Sequence, residues 1–309
     1  MKMKTKAIFL LGTLLIAGSG DMDARRRATR RSKTKTTTTR ADKKTSSAIK
    51  VNPVTVKDPT TLDGWKTEAY TVVWYQPQLK IAKGYSLRAD VPTDSTRSGA
   101  VTKAIVDTYV SNHIYVPNLA VYNIPTSIPE ILELQLASDT GGDLKATTMP
   151  RGRKINKKTD DYVEFEYRTV YDKGKYITIS DSFTNRKDGE SGMAYITFDL
   201  STGKRLQAAD IFKSKDFTKV YNIIADKVAN ATDSEFTREQ FTTEFLPDYI
   251  FNTYGEYSNW TSSPVSALTD DGVTFSIPTS AGNYQIVTLP YGDIAHHLNH
   301  TLATYLNLK

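Results

Sequence analysis

The sequence contains no cysteine, which excludes a disulfide framework, a thiol nucleophile and a thiolate metal site. Long apolar runs are also scarce: one covers residues 7–17, and no second run of that kind follows it. A run of about a dozen residues falls well short of the roughly 20 that a helix needs to span a bilayer. We therefore expect a protein without a membrane span that is stabilised by an ordinary hydrophobic core.

The short apolar run has the layout of an export leader. Lys2, Lys4 and Lys6 precede it, and a stretch of small residues follows it. Residues 1–20 are therefore predicted to be a signal peptide, with cleavage after Gly20 or after Ala24. We expect a periplasmic or extracellular protein, and the absence of a cysteine after the leader excludes lipid-anchored export.

The formal net charge of +6 is unevenly distributed along the chain. Residues 1–50 hold fourteen of the forty Lys and Arg residues and only three of the thirty-four acidic residues. Residues 51–309 therefore carry 26 basic and 31 acidic residues, a net charge of −5. The positive charge belongs to the N-terminal segment, and the remainder of the chain is mildly acidic.

Residues 21–60 combine basic clusters with a threonine run and very few apolar side chains. Two prolines, Pro53 and Pro59, lie near the end of this segment. A segment with so little to bury is predicted to be a disordered tether. It is either a solvated spacer or a contact for anionic envelope polymer or phosphate headgroups, since polybasic runs attract any polyanion. Nucleic acid is not an expected partner of an exported chain.

The first half of the remaining chain, residues 61–150, mixes strand and helix patterns. Residues 69–75 are aromatic and β-branched, which predicts a strand. Residues 98–113 repeat apolar side chains on one helical face, which predicts a helix. Residues 128–137 are ambiguous, although Pro129 suits the start of a helix. Residues 139–160 are predicted to form the loop between the halves.

The second half, residues 151–309, opens with alternating patterns. Residues 162–171 and 176–183 flank a turn containing Gly174, which predicts a β-hairpin. The later patterns predict a strand at 193–200, helices at 215–230 and 235–251, strands at 273–277 and 283–289, and a closing helix from Gly292. Pro247 is expected to bend or end the second of these helices. This mixture favours an α+β fold: an antiparallel sheet with helices packed on one side, in two intimately associated α/β halves.

Few residues suggest chemistry. His296, His297 and His300 lie near Asp293, and a helix would bring positions 296 and 300 to one face, a spacing that suits two metal ligands. The glutamate of a zinc-protease helix motif is missing, so we expect no bound metal and no cofactor, and a solvated or capping role for these histidines.

Two other groups of residues could form a site. Glu164 and Glu166 lie on one face of a predicted strand and could form a glycosidase-like pair, although alternating Glu is more typical of a solvated hairpin face. Tyr254, Tyr257 and Trp260 form an aromatic cluster in a polar segment, which suits stacking on a sugar ring or anchoring a protein partner. We take these aromatic residues as the candidate ligand-binding site; the alternative is that they cover one end of the core.

Two segments carry a resemblance to a known family. Residues 197–212 (TFDLSTGKRLQAADIF) and residues 271–294 (DGVTFSIPTSAGNYQIVTLPYGDI) resemble the extracellular domain of the RsiV anti-sigma factor and its uncharacterised relatives. A further strand, a turn at Gly84-Tyr85 and a long helix suit the companion domain of that family. The family's Gly-Gly-Ala-His turn is replaced here by residues 188–193, which lack the histidine.

The resemblance implies a secreted, non-enzymatic domain of unknown function that binds a partner in the cell envelope. The expected ligand is a peptidoglycan-type glycan or a wall-degrading protein such as lysozyme. The signalling role does not transfer, because the sequence shows neither a sigma-binding segment nor a membrane span. The alternatives are an envelope glycan hydrolase or deacetylase and a structural envelope protein anchored by its basic arm.

Overall fold

The computed structural model describes most of the chain after the N-terminal segment. The described ranges are residues 53–76, 80–113, 124–140, 151–189, 191–232, 234–251, 265–279 and 284–308. All structural statements below refer to these ranges.

Seven strands form a long sheet in which every strand lies beside its sequence neighbour. The strands are β1 (Val54–Val56), β2 (Trp65–Gln76), β3 (Ile81–Pro92), β4 (Asp161–Asp172), β5 (Tyr176–Asn185), β6 (Ser191–Asp199) and β7 (Lys204–Arg205). The β3–β4 pair is parallel and the other pairs are antiparallel. A parallel pair needs a long crossover connection, and the helices between β3 and β4 provide it.

The predicted hairpin is confirmed as β4–β5, and its alternating sequence explains its two faces. Phe165 and Tyr167 on β4 are buried, whereas Glu164 and Glu166 at the alternate positions are only half-buried. Because successive side chains of a strand point to opposite faces, β4 presents an aromatic face to the core and a charged face outward.

Two helices pack on one face of the long sheet, α1 (Ser95–His113) and α2 (Ile128–Thr140). The helix predicted at 98–113 is therefore confirmed, and the ambiguous pattern at 128–137 is a helix. Their buried residues, among them Ile105, Tyr109 and Ile131, join Leu87 and Ile179 of the sheet in one hydrophobic core. At roughly 25 cal/mol per Å² of apolar area removed from water, such packing is the main stabilising contribution.

A second, three-stranded sheet follows, with strand order β10-β9-β8. Its strands are β8 (Val265–Leu268), β9 (Gly272–Pro278) and β10 (Tyr284–Pro290). The helices around it are α3 (Ala208–Ile211), α4 (Phe217–Ala229), α5 (Arg238–Glu244), α6 (Pro247–Phe251), α7 (Tyr291–Ile294) and α8 (His300–Tyr305). Together they enclose a second core that contains Phe212, Ile224 and Phe275.

Hydroxyl groups connect the two sheets. The Thr178 hydroxyl lies 2.7 Å from that of Thr197 and donates to the Leu268 carbonyl oxygen, 2.5 Å away. The Leu268 N–H in turn donates to the Thr197 hydroxyl at 2.8 Å. These buried bonds satisfy polar groups of β8 that would otherwise lose water without compensation. The α+β class is confirmed, and the long sheet takes strands from both predicted halves.

The expected effect of Pro247 is confirmed, because the pattern at 235–251 forms two helices and Pro247 starts α6. Two local predictions differ from the structure. The predicted turn at Gly84-Tyr85 is the middle of β3, where Gly84 packs against Val73, Ile155 and Tyr162. The closing helix predicted from Gly292 is interrupted, because Leu298 is extended and bridges to Phe212.

The first strand, β1, lies inside the range assigned to the tether. Its three residues pair with β2, and Asp58 just beyond it lies 2.6 Å from Arg168 on β4. This part of the chain is therefore bound to the sheet by backbone hydrogen bonds and an ion pair. Residues 21–52 of the predicted tether lie outside the described residues.

Candidate functional site

One face of the long sheet is partly open to solvent and polar where β3, β4, β5 and β6 lie side by side. We call it the open face. It comprises Ser86, Arg88, Glu164, Glu166, Ser182, Thr184 and Met193. Two rows cross the strands at paired positions: Ser86, Glu164 and Thr184 in one, and Arg88, Glu166, Ser182 and Met193 in the other. Paired side chains point to the same face, so the register brings these groups together.

A shallow cavity of about 140 Å³ lies on the open face. Its lining includes the hydroxyl groups of Ser86, Ser182 and Thr184 and the charged groups of both rows. Hydroxyl groups both donate and accept hydrogen bonds. The cavity can therefore bind a ligand that carries many hydrogen-bonding groups.

Two cations hold the carboxylate of Glu164. Lys157 Nζ lies 2.6 Å from one oxygen, and Arg186 Nε donates a hydrogen bond to the other. Burial opposes ionisation of Glu164, but these two contacts outweigh it and lower the pKa of Glu164 below its ordinary value. Glu164 is therefore ionised at neutral pH and has no proton to donate.

The Glu166 carboxylate lies beside two arginines. Arg168 Nη1 is 3.5 Å away and Arg88 Nη1 is 4.0 Å away. Arg168 is itself fixed by Asp58 at 2.6 Å and by the buried Asp90 at 2.9 Å. The open face therefore carries both signs of charge in close alternation, which favours a ligand with little net charge of its own.

Loop residues 151–160 bring Lys157 to this face. Asp160 is buried and accepts hydrogen bonds from the N–H groups of Asn156 at 2.8 Å and Ala82 at 3.3 Å, and from Arg153 at 2.6 Å. Although burial opposes it, this bonding lowers the pKa of Asp160. An ionised, fully bonded Asp160 fixes the loop against β3.

Comparisons with known proteins give structural neighbours. No protein-family profile and no curated protein sequence matches the chain. Solved structures similar to it include a DUF3298 family member from Bacteroides fragilis NCTC 9343, with a TM-score of 0.47 and 12% identity over 84% of this chain and 98% of that one. Another is a DUF3298 family protein from Pseudomonas aeruginosa PAO1, with a TM-score of 0.47 and 13% identity over 76% of this chain and 95% of that one.

The aromatic residues predicted to bind ligand, Tyr254, Tyr257 and Trp260, lie outside the described residues. Glu164 and Glu166 do share a face of β4, as predicted. Their strand lies between β3 and β5 rather than at an edge of the sheet, so neighbouring strands supply partners for both carboxylates.

The histidine spacing that suggested a metal site is absent from the structure. His296 lies in a short 3₁₀ turn, Leu298 is extended, and Asn299 caps a new helix that begins at His300. Positions 296 and 300 therefore do not share a helical face. His297 Nδ1 lies 3.4 Å from a carboxylate oxygen of Asp216. Within the described ranges, no group of three or more His, Cys, Asp or Glu side chains is arranged to hold a metal ion.

Sequence reasoning also missed a pair inside the first core. His113 Nε2 lies 3.1 Å from the buried carboxylate of Asp181, and its ring packs edge-on against Phe165 and Phe183. The two residues are 68 positions apart, so no local signal relates them.

None of the helices in the described part of the chain combines the length and the apolar composition that a membrane span requires.

Proposed function

We propose that this chain is an exported, non-enzymatic binding protein of the cell envelope, and that its open face binds a peptidoglycan-type glycan. The observation that carries the proposal is the pair of polar rows across β3 to β6, with a cavity between them. Hydroxyl and charged groups at fixed positions on rigid strands suit a ligand rich in hydroxyl and amide groups.

The ionised state of Glu164 supports binding over hydrolysis. A glycosidase needs one carboxyl group that carries a proton near neutral pH, and hence a raised pKa. At Glu164 the shift has the opposite sign, because Lys157 and Arg186 stabilise the ionised form. These cations also occupy the oxygens that a general acid would direct at the substrate.

The sequence resemblance supports the same function. Residues 197–212 contain the end of β6, a tight turn with Gly203 at positive φ, strand β7 and helix α3. Residues 271–294 contain β9, β10 and α7. These elements follow the order of the RsiV-type units, and we propose that the chain is an RsiV-like secreted relative.

Export by the leader is part of the proposal. The expected product lacks the first 20 or 24 residues, and mass spectrometry of the protein from a periplasmic or extracellular fraction measures this directly. An intact N-terminus in the cytoplasmic fraction would refute export.

The binding test is retention of the full-length chain on insoluble peptidoglycan at physiological salt, with immobilised lysozyme in parallel. Physiological salt screens exposed charges beyond about 8 Å, which limits binding through the basic segment. Arg88→Ala is the test variant, because Arg88 is half-exposed and only weakly paired. Its matched control is Lys103→Ala on α1, which removes the same charge from the opposite side of the sheet.

We expect Arg88→Ala to weaken retention about tenfold, as the loss of one charge-assisted hydrogen bond predicts, and Lys103→Ala to bind as the unaltered chain does. No retention on peptidoglycan would refute glycan binding, and retention on lysozyme alone would assign a protein partner. Released sugar fragments would identify a hydrolase. Loss of retention only on deletion of residues 21–50 would identify a structural protein held by its arm.

A further inference from the structure

A second cavity, which we call the α8 pocket, lies between the turn before β7 and the start of helix α8. Its volume is about 230 Å³. Pockets for drug-sized ligands measure roughly 300–1,000 Å³, so this one suits a ligand about the size of a single ring. All the residues that line it belong to the described ranges.

The α8 pocket has an apolar floor. Tyr176 and Leu302 are buried, and Leu206 beside them is half-buried. The Tyr176 ring is held by an edge-on contact with Tyr305, whose ring centroid is 5.0 Å away. Backbone groups fix Tyr305 in turn. The Tyr305 hydroxyl donates to the Lys173 carbonyl oxygen and accepts from the Lys175 N–H. The floor is therefore rigid.

The rim of the α8 pocket is polar. The side-chain oxygen of Asn299 accepts a hydrogen bond from the Thr301 N–H at 3.1 Å. The amide N–H groups of Asn299 take no part in this bond. Asp210 uses one oxygen to cap α3 at the Gln207 N–H, 2.9 Å away. The hydroxyl group of Thr301 adds a donor and an acceptor. The rim thus offers both kinds of hydrogen-bonding group within one small opening.

The formal charges around the α8 pocket cancel. Asp199 and Asp210 contribute two negative charges, and Lys204 and Lys175 contribute two positive charges. Asp199 is already engaged by Lys175 at 3.4 Å and by Ser201 at 2.9 Å. A charged ligand would therefore be attracted by one pair of charges and repelled by the other. A neutral ligand meets no such repulsion.

We propose that the α8 pocket is a saccharide site that takes one neutral hexose or N-acetylhexosamine ring, with its C–H face on Tyr176, Leu206 and Leu302 and its hydroxyl groups on the rim. The site is separate from the open face. The inference rests on the proposed function in one respect: an envelope glycan would supply the sugar ring.

The test measures binding of four single sugars to the full-length chain by calorimetry or ligand-observed NMR. Glucose and N-acetylglucosamine are neutral, while glucuronate and glucosamine have the same ring with opposite charges. We expect both neutral sugars to bind more tightly than either charged one. Absence of binding by both neutral sugars, or tighter binding of a charged one, would overturn the proposal.

Two variants locate the site. Thr301→Trp fills the pocket from its exposed rim and is expected to abolish sugar binding, whereas His300→Trp, the exposed neighbour outside the pocket, is the matched control. Asn299→Asp keeps the oxygen that caps α8 but loses the amide donors, and we expect about tenfold weaker binding for one lost hydrogen bond. Circular dichroism verifies that each variant folds, and unchanged binding by Thr301→Trp would place the site elsewhere.

The outcomes separate this inference from the proposed function. Arg88→Ala on the open face should reduce retention on peptidoglycan and leave single-sugar binding unchanged. If the chain is not retained on peptidoglycan but binds the neutral sugars at the α8 pocket, the inference stands without the proposed function. If the chain is retained but binds no single sugar, the inference fails and the proposed function stands.

Discussion

Three glycine positions allow a direct test of how tightly the sheets are packed. A Cβ added at Gly84 would lie 2.7 Å from Val73 Cγ1 and from Ile155 Cδ1. A Cβ at Gly272 would overlap the backbone carbonyl oxygen of Leu289 on the neighbouring strand. At Gly99, on the exposed side of α1, a Cβ would meet no atom within 4 Å.

Changing each glycine to alanine should therefore give three different results. Gly99→Ala should stabilise the fold by up to about 1 kcal/mol, because alanine is the better helix former. Gly84→Ala should cost about 1 to 3 kcal/mol, since Val73 is a stiff β-branched neighbour and overpacking forces side chains to shift. Gly272→Ala should cost more than about 3 kcal/mol, because the atom it meets belongs to the backbone of a paired strand.

Urea unfolding of the full-length chain, followed by tryptophan fluorescence, measures these differences. Trp65 and Trp74 are buried in the first core and report its loss. The reasoning requires the order Gly99, Gly84, Gly272 from the most to the least stable variant. Equal changes at Gly84 and Gly99 would refute the packing argument, because helix and strand propensity would then account for both.

Three further predictions concern charge. Arg168 holds the pKa of Asp58 below its ordinary value of roughly 3.9, so ionised Asp58 stabilises the fold above that pH and this contribution is lost as the pH falls. Asp58→Asn should therefore flatten the fall in unfolding free energy between about pH 5 and pH 2. An unchanged slope would contradict this. Arg168→Met should cost about 3 kcal/mol in urea unfolding at pH 7, because it leaves Asp90 buried without its cation; a cost below about 1 kcal/mol would mean that other donors suffice. Lys103→Met should change stability by less than about 0.5 kcal/mol, since the Lys103–Asp107 pair is exposed, and a larger loss would show that helix α1 depends on it.

The elements that the sequence predicted well have strong local periodicity. Helix α1 and the β4–β5 hairpin carry their pattern within about twenty residues, and the turn between β4 and β5 is marked by Gly174, which has positive φ. The prediction of one continuous closing helix was wrong because of a contact with a distant part of the chain. Its apolar spacing is helical, and Ile294, Leu298 and Leu302 are buried, but the backbone pairing of Leu298 with Phe212 replaces a helical turn.

Strand β3 could not be predicted because tertiary contacts override its local pattern. Gly84 weakens the strand signal, and Asp90 puts a carboxylate at a position that proves to be buried. Asp90 is tolerated there because Arg168, 78 positions later, and Thr67 hydrogen-bond to it. Such compensation is visible only when the strands are paired.

The open face was beyond prediction for the same reason. Glu164 and Glu166 were recognisable as neighbours on one strand, but the cations and hydroxyl groups around them come from other strands and from a loop. The α8 pocket likewise depends on the break at Leu298, which brings Asn299 to the start of a new helix beside β7. Both sites arise from register and chain breaks rather than from motifs.

The single parallel pair in the long sheet also has a consequence for the order of folding. The antiparallel pairs β2–β3, β4–β5 and β5–β6 join neighbours in sequence and close short loops. The β3–β4 pair instead joins residues about 78 positions apart, as Lys83 and Asp161 are. Closing so long a loop costs more chain entropy and slows assembly. We therefore expect two local β-units to form first, and their docking along β3 and β4, the step that also creates the open face, to limit the folding rate.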